Sequence, residues 1–164
     1  MPSPIPPGYH SVTPYIIVRD APLAIQFYEK AFDAKEQLRL EGLDGVVGHA
    51  EIRIGDSVIM LAEENPAWNA RCPLTLGGSP VSLMIYTEDV DATFASAIAA
   101  GAKEVRPVQD QFYGDRSGCV MDPFGHSWTI STNKEELSKE ELTKRYRDLM
   151  TQAMEMTETP QSVA

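Results

Sequence analysis

A chain of 164 residues with 14 Lys+Arg against 24 Asp+Glu carries a formal charge of −10, and 43% of it is hydrophobic. At about 100–200 residues per domain this is one globular domain able to bury about 70% of its unfolded surface, and no second large domain fits. A chain this acidic, without a Lys/Arg cluster, lacks the cationic footprint that phosphate backbones require; no nucleic-acid partner is expected, and an anionic membrane surface would repel it.

Five of the 12 prolines fall in the opening MPSPIPPGYHSVTP, which predicts an extended arm over residues 1–12. The opening has no basic segment followed by an apolar stretch, and no run of 18 apolar residues occurs. The expectation is a cytoplasmic chain without signal peptide, transit peptide or membrane span. TPYIIVRD then reads as a buried strand, and Asp20 as the N-cap of a helix through APLAIQFYEKAF, with Leu23, Phe27, Tyr28 and Ala31 on one face. EQLRL, VVGHAEIRI and SVIMLAEE follow as strands, the last two joined by a tight turn at Gly55-Asp56.

Residues 65–80, NPAWNARCPLTLGGSP, carry three prolines and no periodicity and read as a linker. Cys72 and Cys119 lie far apart without metal-finger spacing, so both are expected as reduced thiols. VSLMIYTE is again a strand, Asp89 again a cap, and VDATFASAIAAG again a helix, with Val90, Phe94, Ala97 and Ile98 on one face and Gly101 ending it. KEVRPVQ, the segment around SGCVM, and HSWTIST complete a second strand-helix-three-strand unit. The caps Asp20 and Asp89 are 89 − 20 = 69 residues apart, and Ala34-Lys35-Glu36 recurs as Ala102-Lys103-Glu104 after 102 − 34 = 68. The chain therefore reads as an internal duplication. In the tail, Ser138-Lys139-Glu140-Glu141 forms a capping box flanked by Leu137 and Leu142, and Leu142, Tyr146, Leu149, Met150 and Ala153 make an apolar stripe expected to dock on the body or on a second chain. TETPQSVA after Met156 is expected to fray.

The segments TPYIIVRDAPLAIQFYEKAF, GHAEIRIGDSVIML, VSLMIYTEDVDATFASAIAAGA and DQFYGDRSGCVMDPFGHSWTIST together resemble the vicinal oxygen chelate superfamily, which contains glyoxalase I, extradiol dioxygenases and bleomycin-resistance proteins. The FYGDR and DPFGH motifs resemble its PhnB-like, glyoxalase/bleomycin-resistance branch. The resemblance covers roughly residues 12–133. It implies an α+β fold of two βαβββ modules forming a cupped mixed sheet with helices on the convex side, and a homodimer. On this reading residues 1–12 are the arm, 13–133 the glyoxalase-like domain with modules 13–64 and 81–133 joined by linker 65–80, and 134–164 a C-terminal helix and frayed tail.

Metal-dependent members of the superfamily place four ligands on cup-facing strand positions, which the resemblance carries to Thr13, Met60, Ser82 and Thr129. Two threonines, a serine and a thioether supply neither carboxylate nor imidazole, so neither a metal nor another cofactor is expected. With those four facing the cup, strand alternation adds Tyr15, Ile17, Met84 and Tyr86 to the lining, and turns Pro14, Ile16, Val18, Leu83, Ile85, Trp128 and Ile130 to the helices. Such a lining suits a small apolar or aromatic ligand; alternatively the side chains close the cup on one another.

His49, Glu51 and Arg53 share one strand face, opposite Ala50, Ile52 and Ile54. His49 and Glu51 could serve as an acid/base pair or, with His126 or His10, as a relocated metal site; the alternative is a Glu51–Arg53 rim pair with His49 as a polar wall. Phe112, Tyr113 and Arg116 could stack a planar ligand and grip an anion, unless Arg116 pairs with an aspartate to fix its loop. Asp122-Pro-Phe-Gly-His126 reads as a turn with Asp122 bonding the backbone and His126 structural. The leading expectation is a metal-free binder of a small apolar or aromatic molecule without catalytic residues. The competing one is a metal-dependent lyase, isomerase or dioxygenase built around His49 and Glu51.

Overall fold

Asp20 stops one element and starts the next: its carboxylate accepts from the Leu23 amide at 2.9 Å, which satisfies a free donor of the first helical turn. In the computed structural model, which describes residues 3–158, this joins β1 (Tyr15–Val18) to α1 (Ala21–Phe32). β2 (Lys35–Glu41), β3 (Val47–Ile54) and β4 (Ser57–Glu63) complete a four-stranded mixed sheet ordered β1-β4-β3-β2. β1 runs parallel to β4 with Tyr15 opposite Met60, and β3 turns into β4 at Gly55, with Ile54 opposite Ser57.

The linker is not the irregular stretch expected. It holds a 3-10 turn at Pro66–Trp68 and a short helix α2 (Pro73–Leu76). The reason is local: each opens on a proline, and the Glu64 carboxylate accepts from the Cys72 amide at 2.7 Å and the Thr75 hydroxyl at 2.9 Å. Cys72 and Cys119 are both free thiols and both buried.

The second unit repeats the first. β5 (Ser82–Tyr86), α3 (Val90–Ala100), β6 (Lys103–Asp110), β7 (Asp115–Met121) and β8 (Ser127–Asn133) form a sheet ordered β5-β8-β7-β6, with β5 parallel to β8. Asp89 caps α3 through the Ala92 amide at 3.0 Å, and Gly101 ends it at φ +115°. The architecture is thus α+β, two open mixed sheets each with its own helix.

One core serves both units. Ile16, Val18, Ala50, Ile52 and Leu61 of the first sheet and Val120, Trp128 and Ile130 of the second are buried in a single cluster with the apolar faces of α1 and α3. The expected alternation holds there, and Leu83, Ile85 and Ile54 pack partly buried against it. Two helix-face assignments are corrected. Leu23 is 55% exposed because the buried stripe of α1 runs through Ala24, Ile25, Phe27, Tyr28, Ala31 and Phe32, leaving the third helical residue off to one side, and Ile98 of α3 is likewise exposed.

Asp122 fastens the halves together. Buried in the DPFG turn, it accepts from the Phe124 and His126 amides at 2.9 and 2.8 Å, from the Trp128 indole at 2.9 Å, and from the Tyr28 hydroxyl of α1 at 2.7 Å. Burial, followed by this carboxylate, holds the Tyr28 phenol well above the usual range. His126 plays the structural part expected of it, with Nε2 bonded to the Ile17 carbonyl at 2.9 Å.

α4 (Lys139–Glu158) starts where Ser138 Oγ accepts from the Glu141 amide at 3.1 Å. Its first turns meet the body through Phe112–Tyr146 ring contact at 5.6 Å and an Arg145–Glu135 ion pair at 2.9 Å. The helix continues past Met156 to Glu158, and the rest of the segment expected to fray lies outside the described residues. No helix among the described residues is long and apolar enough to cross a membrane.

Candidate functional site

The first sheet carries a chain of polar groups on the face away from α1. Its register lines up Tyr15, Met60 and Glu51 across β1, β4 and β3. Tyr15 Oη lies 2.9 Å from His49 Nδ1, and His49 Nε2 lies 3.1 Å from Glu51 Oε1. The second carboxylate oxygen accepts from the hydroxyl of Tyr9, in the N-terminal arm. These bonds correct the expected Glu51–Arg53 pair: Arg53 binds the Gly8 carbonyl, Gln37 and the Asp56 carbonyl instead. The Tyr9 hydroxyl first, then His49, hold the Glu51 carboxyl below its usual range against the opposing effect of burial, so it is an anion and acceptor. Burial raises the Tyr15 phenol, so it stays protonated.

The second sheet is built differently. Ser82, Met84 and Tyr86 project from β5 beside Ser127, Thr129 and Ser131 of β8. Asp115 is buried beneath them and accepts from Ser131 Oγ at 2.8 Å and Asn133 Nδ2 at 3.0 Å. Burial first, then Asp115, push the Tyr86 phenol up. Tyr113 Oη lies 3.1 Å from Ser117 Oγ, and its ring meets Phe112 edge to face at 5.2 Å.

Arg116 does not join this lining. Cys119 faces Thr129 across the β7–β8 ladder, so alternation sends Arg116 to the helix side, where it grips Asp91 of α3 with two bonds of 2.8 Å and reaches Asp110 at 3.3 Å. Of the two readings open for Arg116, the pairing with aspartate is the one seen, cross-strand to Asp110 and onto α3 at Asp91, and these carboxylates raise the already high guanidinium pKa further.

The remaining candidates border two cavities near β1 and β5. Tyr15 and Ile17 line one of about 270 Å³ with Leu76, Pro80, Leu83 and His126. Thr13, Met84 and Tyr86 line another of about 510 Å³, which His10 also borders. At the positions to which the resemblance carries metal ligands, the residues do not fit a divalent ion: Thr13, Met60, Ser82 and Thr129 provide neither anion nor imidazole. Nor do three or more His, Cys, Asp or Glu side chains gather into a cation-binding group among the described residues.

Sequence reasoning missed Tyr9, Ser117, Ser131 and Asn133, and gave Asp115 as a partner for Arg116, whereas its own partners are Ser131 and Asn133. The alternating hydroxyls of Ser127, Thr129 and Ser131 in HSWTIST were a usable signal for part of this set. Tyr9 gave none, since its partner lies 42 residues away in sequence.

Comparison with known proteins agrees with this architecture. An uncharacterized protein of Mycobacterium bovis is 42% identical over 135 residues, covering 80% of this chain and 89% of the relative. Among solved structures, a gene product of Arabidopsis thaliana superimposes with a TM-score of 0.60 at 25% identity, covering 75% of this chain and 98% of that one. The PhnB protein of Bacillus cereus superimposes with a TM-score of 0.57 at 19% identity, covering 75% and 99%. Residues 8–130 match the family as a continuous stretch that takes in both units. With the duplicated βαβββ order, the parallel β1–β4 and β5–β8 pairs and this match in agreement, the chain belongs to the Glyoxalase/Bleomycin resistance protein/Dioxygenase superfamily.

Proposed function

We propose that this chain is a metal-free binding protein that holds a small apolar or aromatic molecule on the helix-free faces of its sheets, acting in the cytoplasm as a homodimer. One observation carries the reading. The four positions that hold metal in catalytic relatives of the superfamily carry no metal-competent donor, while Tyr15, Met84 and Tyr86 beside them are 50%, 46% and 65% exposed. Large side chains left open mark surfaces that take a ligand or a partner, and the Met84 thioether with the Tyr86 ring, which line one cavity, suits a planar one.

Calorimetric titration with zinc, nickel and manganese should show no stoichiometric site, and a library of aromatic compounds should raise the melting temperature. One metal per chain, lost in His49→Ala, would establish the competing lyase, isomerase or dioxygenase instead. The His49–Glu51 contact is the observation in favour of that alternative. Against it, both imidazole nitrogens and both carboxylate oxygens already have partners within the chain.

The dimer has support outside the sheets. Leu142, Tyr146, Leu149 and Met150 remain exposed along α4. Lys139, Lys144, Arg145 and Arg147 outnumber Glu140, Glu141 and Asp148 in its first half, whereas Glu155 is the charge of the second half up to residue 155. An antiparallel pair of α4 helices sets each half against its electrostatic complement, so a second copy of this chain fits the stripe. Sedimentation should give a dimer at micromolar concentration and a monomer for Leu149→Glu; a monomeric parent chain overturns this part.

A further inference from the structure

We infer that the slot between β1 and the linker is a second binding site, one that takes a small apolar monocarboxylate with its carboxylate on Arg71. The slot is not the cavity that Met84 and Tyr86 border; the two share only Pro14 and Leu83. The inference therefore goes beyond the ligand proposed for the sheet faces.

The walls come from three places. β1 contributes Ile17, the linker Leu76 and Pro80, and β5 Leu83, around about 270 Å³. That lies just below the usual range of small-molecule pockets, about 300–1,000 Å³, so the occupant is small. The linker wall is built rather than loose. Glu64 accepts from the Cys72 amide at 2.7 Å, and the Gly78 amide donates to the Pro73 carbonyl at 2.9 Å, where Gly77 and Gly78 take φ +80° and +148°. Ser79 Oγ then bridges both backbone groups of Val81. Leu76 and Val81 are nevertheless 60% and 63% exposed, apolar surface that the tail of an occupant would cover.

The charge preference follows from which polar groups are already engaged. Tyr15 is bonded to His49 at 2.9 Å, Ser79 to Val81, and His126 Nε2 to the Ile17 carbonyl at 2.9 Å. Arg71 completes the polar lining, and among the described residues it has neither a hydrogen bond nor an ion pair. No Asp or Glu borders the slot among the described residues, so in a chain of charge −10 its one permanent charge is positive. A guanidinium presents paired donors that match a carboxylate. A dianion such as a phosphate ester would bring a second charge that nothing in the slot answers, and its desolvation would weigh against entry. A single carboxylate on an apolar tail fits both the walls and the cation.

Calorimetric titration of the full chain at low salt with octanoate and with octanol, which shares the tail without the charge, tests this. Octanoate should bind once per chain and about tenfold tighter than octanol, the equivalent of about 1.4 kcal/mol. Arg71→Gln should remove that difference and Arg71→Lys should keep part of it, whereas Arg116→Gln, the same loss of charge elsewhere, should leave it intact. Leu76→Asp should weaken both probes. Arg71 and Leu76 are exposed, so these variants leave the core untouched. Equal affinities in the parent chain, a preference that survives Arg71→Gln or is lost equally in Arg116→Gln, octanoate binding unchanged in Leu76→Asp, or no binding of octanoate each overturns the inference and leaves the sheet-face reading standing.

Discussion

The two βαβββ units share strand order, a capped helix and a parallel closing pair, yet the polar groups on their sheets have opposite surroundings. Asp115 in the second unit is 4% exposed, and Ser131 and Asn133 of its own sheet serve it. Glu51 in the first lies nearer the surface, and one of its partners, Tyr9, comes from the arm outside the sheet. A carboxylate sealed by neighbours in its own ladder behaves as a piece of the fold. One held by a histidine and by a tyrosine of the arm depends on a segment outside its own ladder. Duplication thus supplied two similar scaffolds, and the difference between them lies in who satisfies the carboxylate.

Substitutions should therefore rank by how far each carboxylate is tied into the core. Asp122→Ala, which strands the Tyr28 hydroxyl, the Trp128 indole and two amides, should cost about 4 kcal/mol in urea unfolding and lower a single transition common to both units. Asp115→Ala should follow at about 2–3 kcal/mol, since Ser131 and Asn133 lose their acceptor. Equal or smaller loss than from Glu51→Gln would erase the contrast between the units. Gly118→Ala should cost about 1–3 kcal/mol, because an added Cβ comes within 2.8 Å of the Phe94 ring of α3 and 2.9 Å of Val108, so that these side chains must shift.

Glu51→Gln should be milder, under about 1 kcal/mol at neutral pH, and its effect should depend on acidity. The folded carboxyl titrates below the ordinary value of 4.5, so its contribution is present above that pH and is lost as pH falls through the depressed folded value. Parent and variant should therefore converge in acid; a gap that persists at pH 2 refutes the assignment. Arg116→Ala should change the unfolding midpoint in urea least of the set, because its partners Asp91 and Asp110 face solvent.

Much of the scaffold is legible in the sequence. Asp20 and Asp89 announce their helices because a short acceptor must precede a run of free amides, and Ile16, Val18, Trp128 and Ile130 announce a core face because strand alternation has period two. For Arg116 the anion grip and the aspartate pairing stayed open for the same geometric reason in reverse: one residue of register decides its side, and without the Cys119–Thr129 pairing nothing in FYGDRSG fixes the phase. The His49–Glu51 proximity followed from spacing along one strand. Their other partners did not, since Tyr15 lies 34 residues from His49, and Tyr9 sits in an aperiodic arm. Short α2 escaped because a single turn has no period to detect.

The Tyr28–Asp122 bond bears on how divisible the molecule is. Its two ends lie 94 residues apart, one in each repeat, and it runs through the most densely aromatic part of the interior, where Phe32 meets Trp128 at 4.8 Å. A chain cut between the repeats would leave a phenol without an acceptor on one fragment and a carboxylate without its closest donor on the other. Neither fragment should persist alone, and the two should recover their shape only on being mixed. That outcome would make the two similar halves obligate complements.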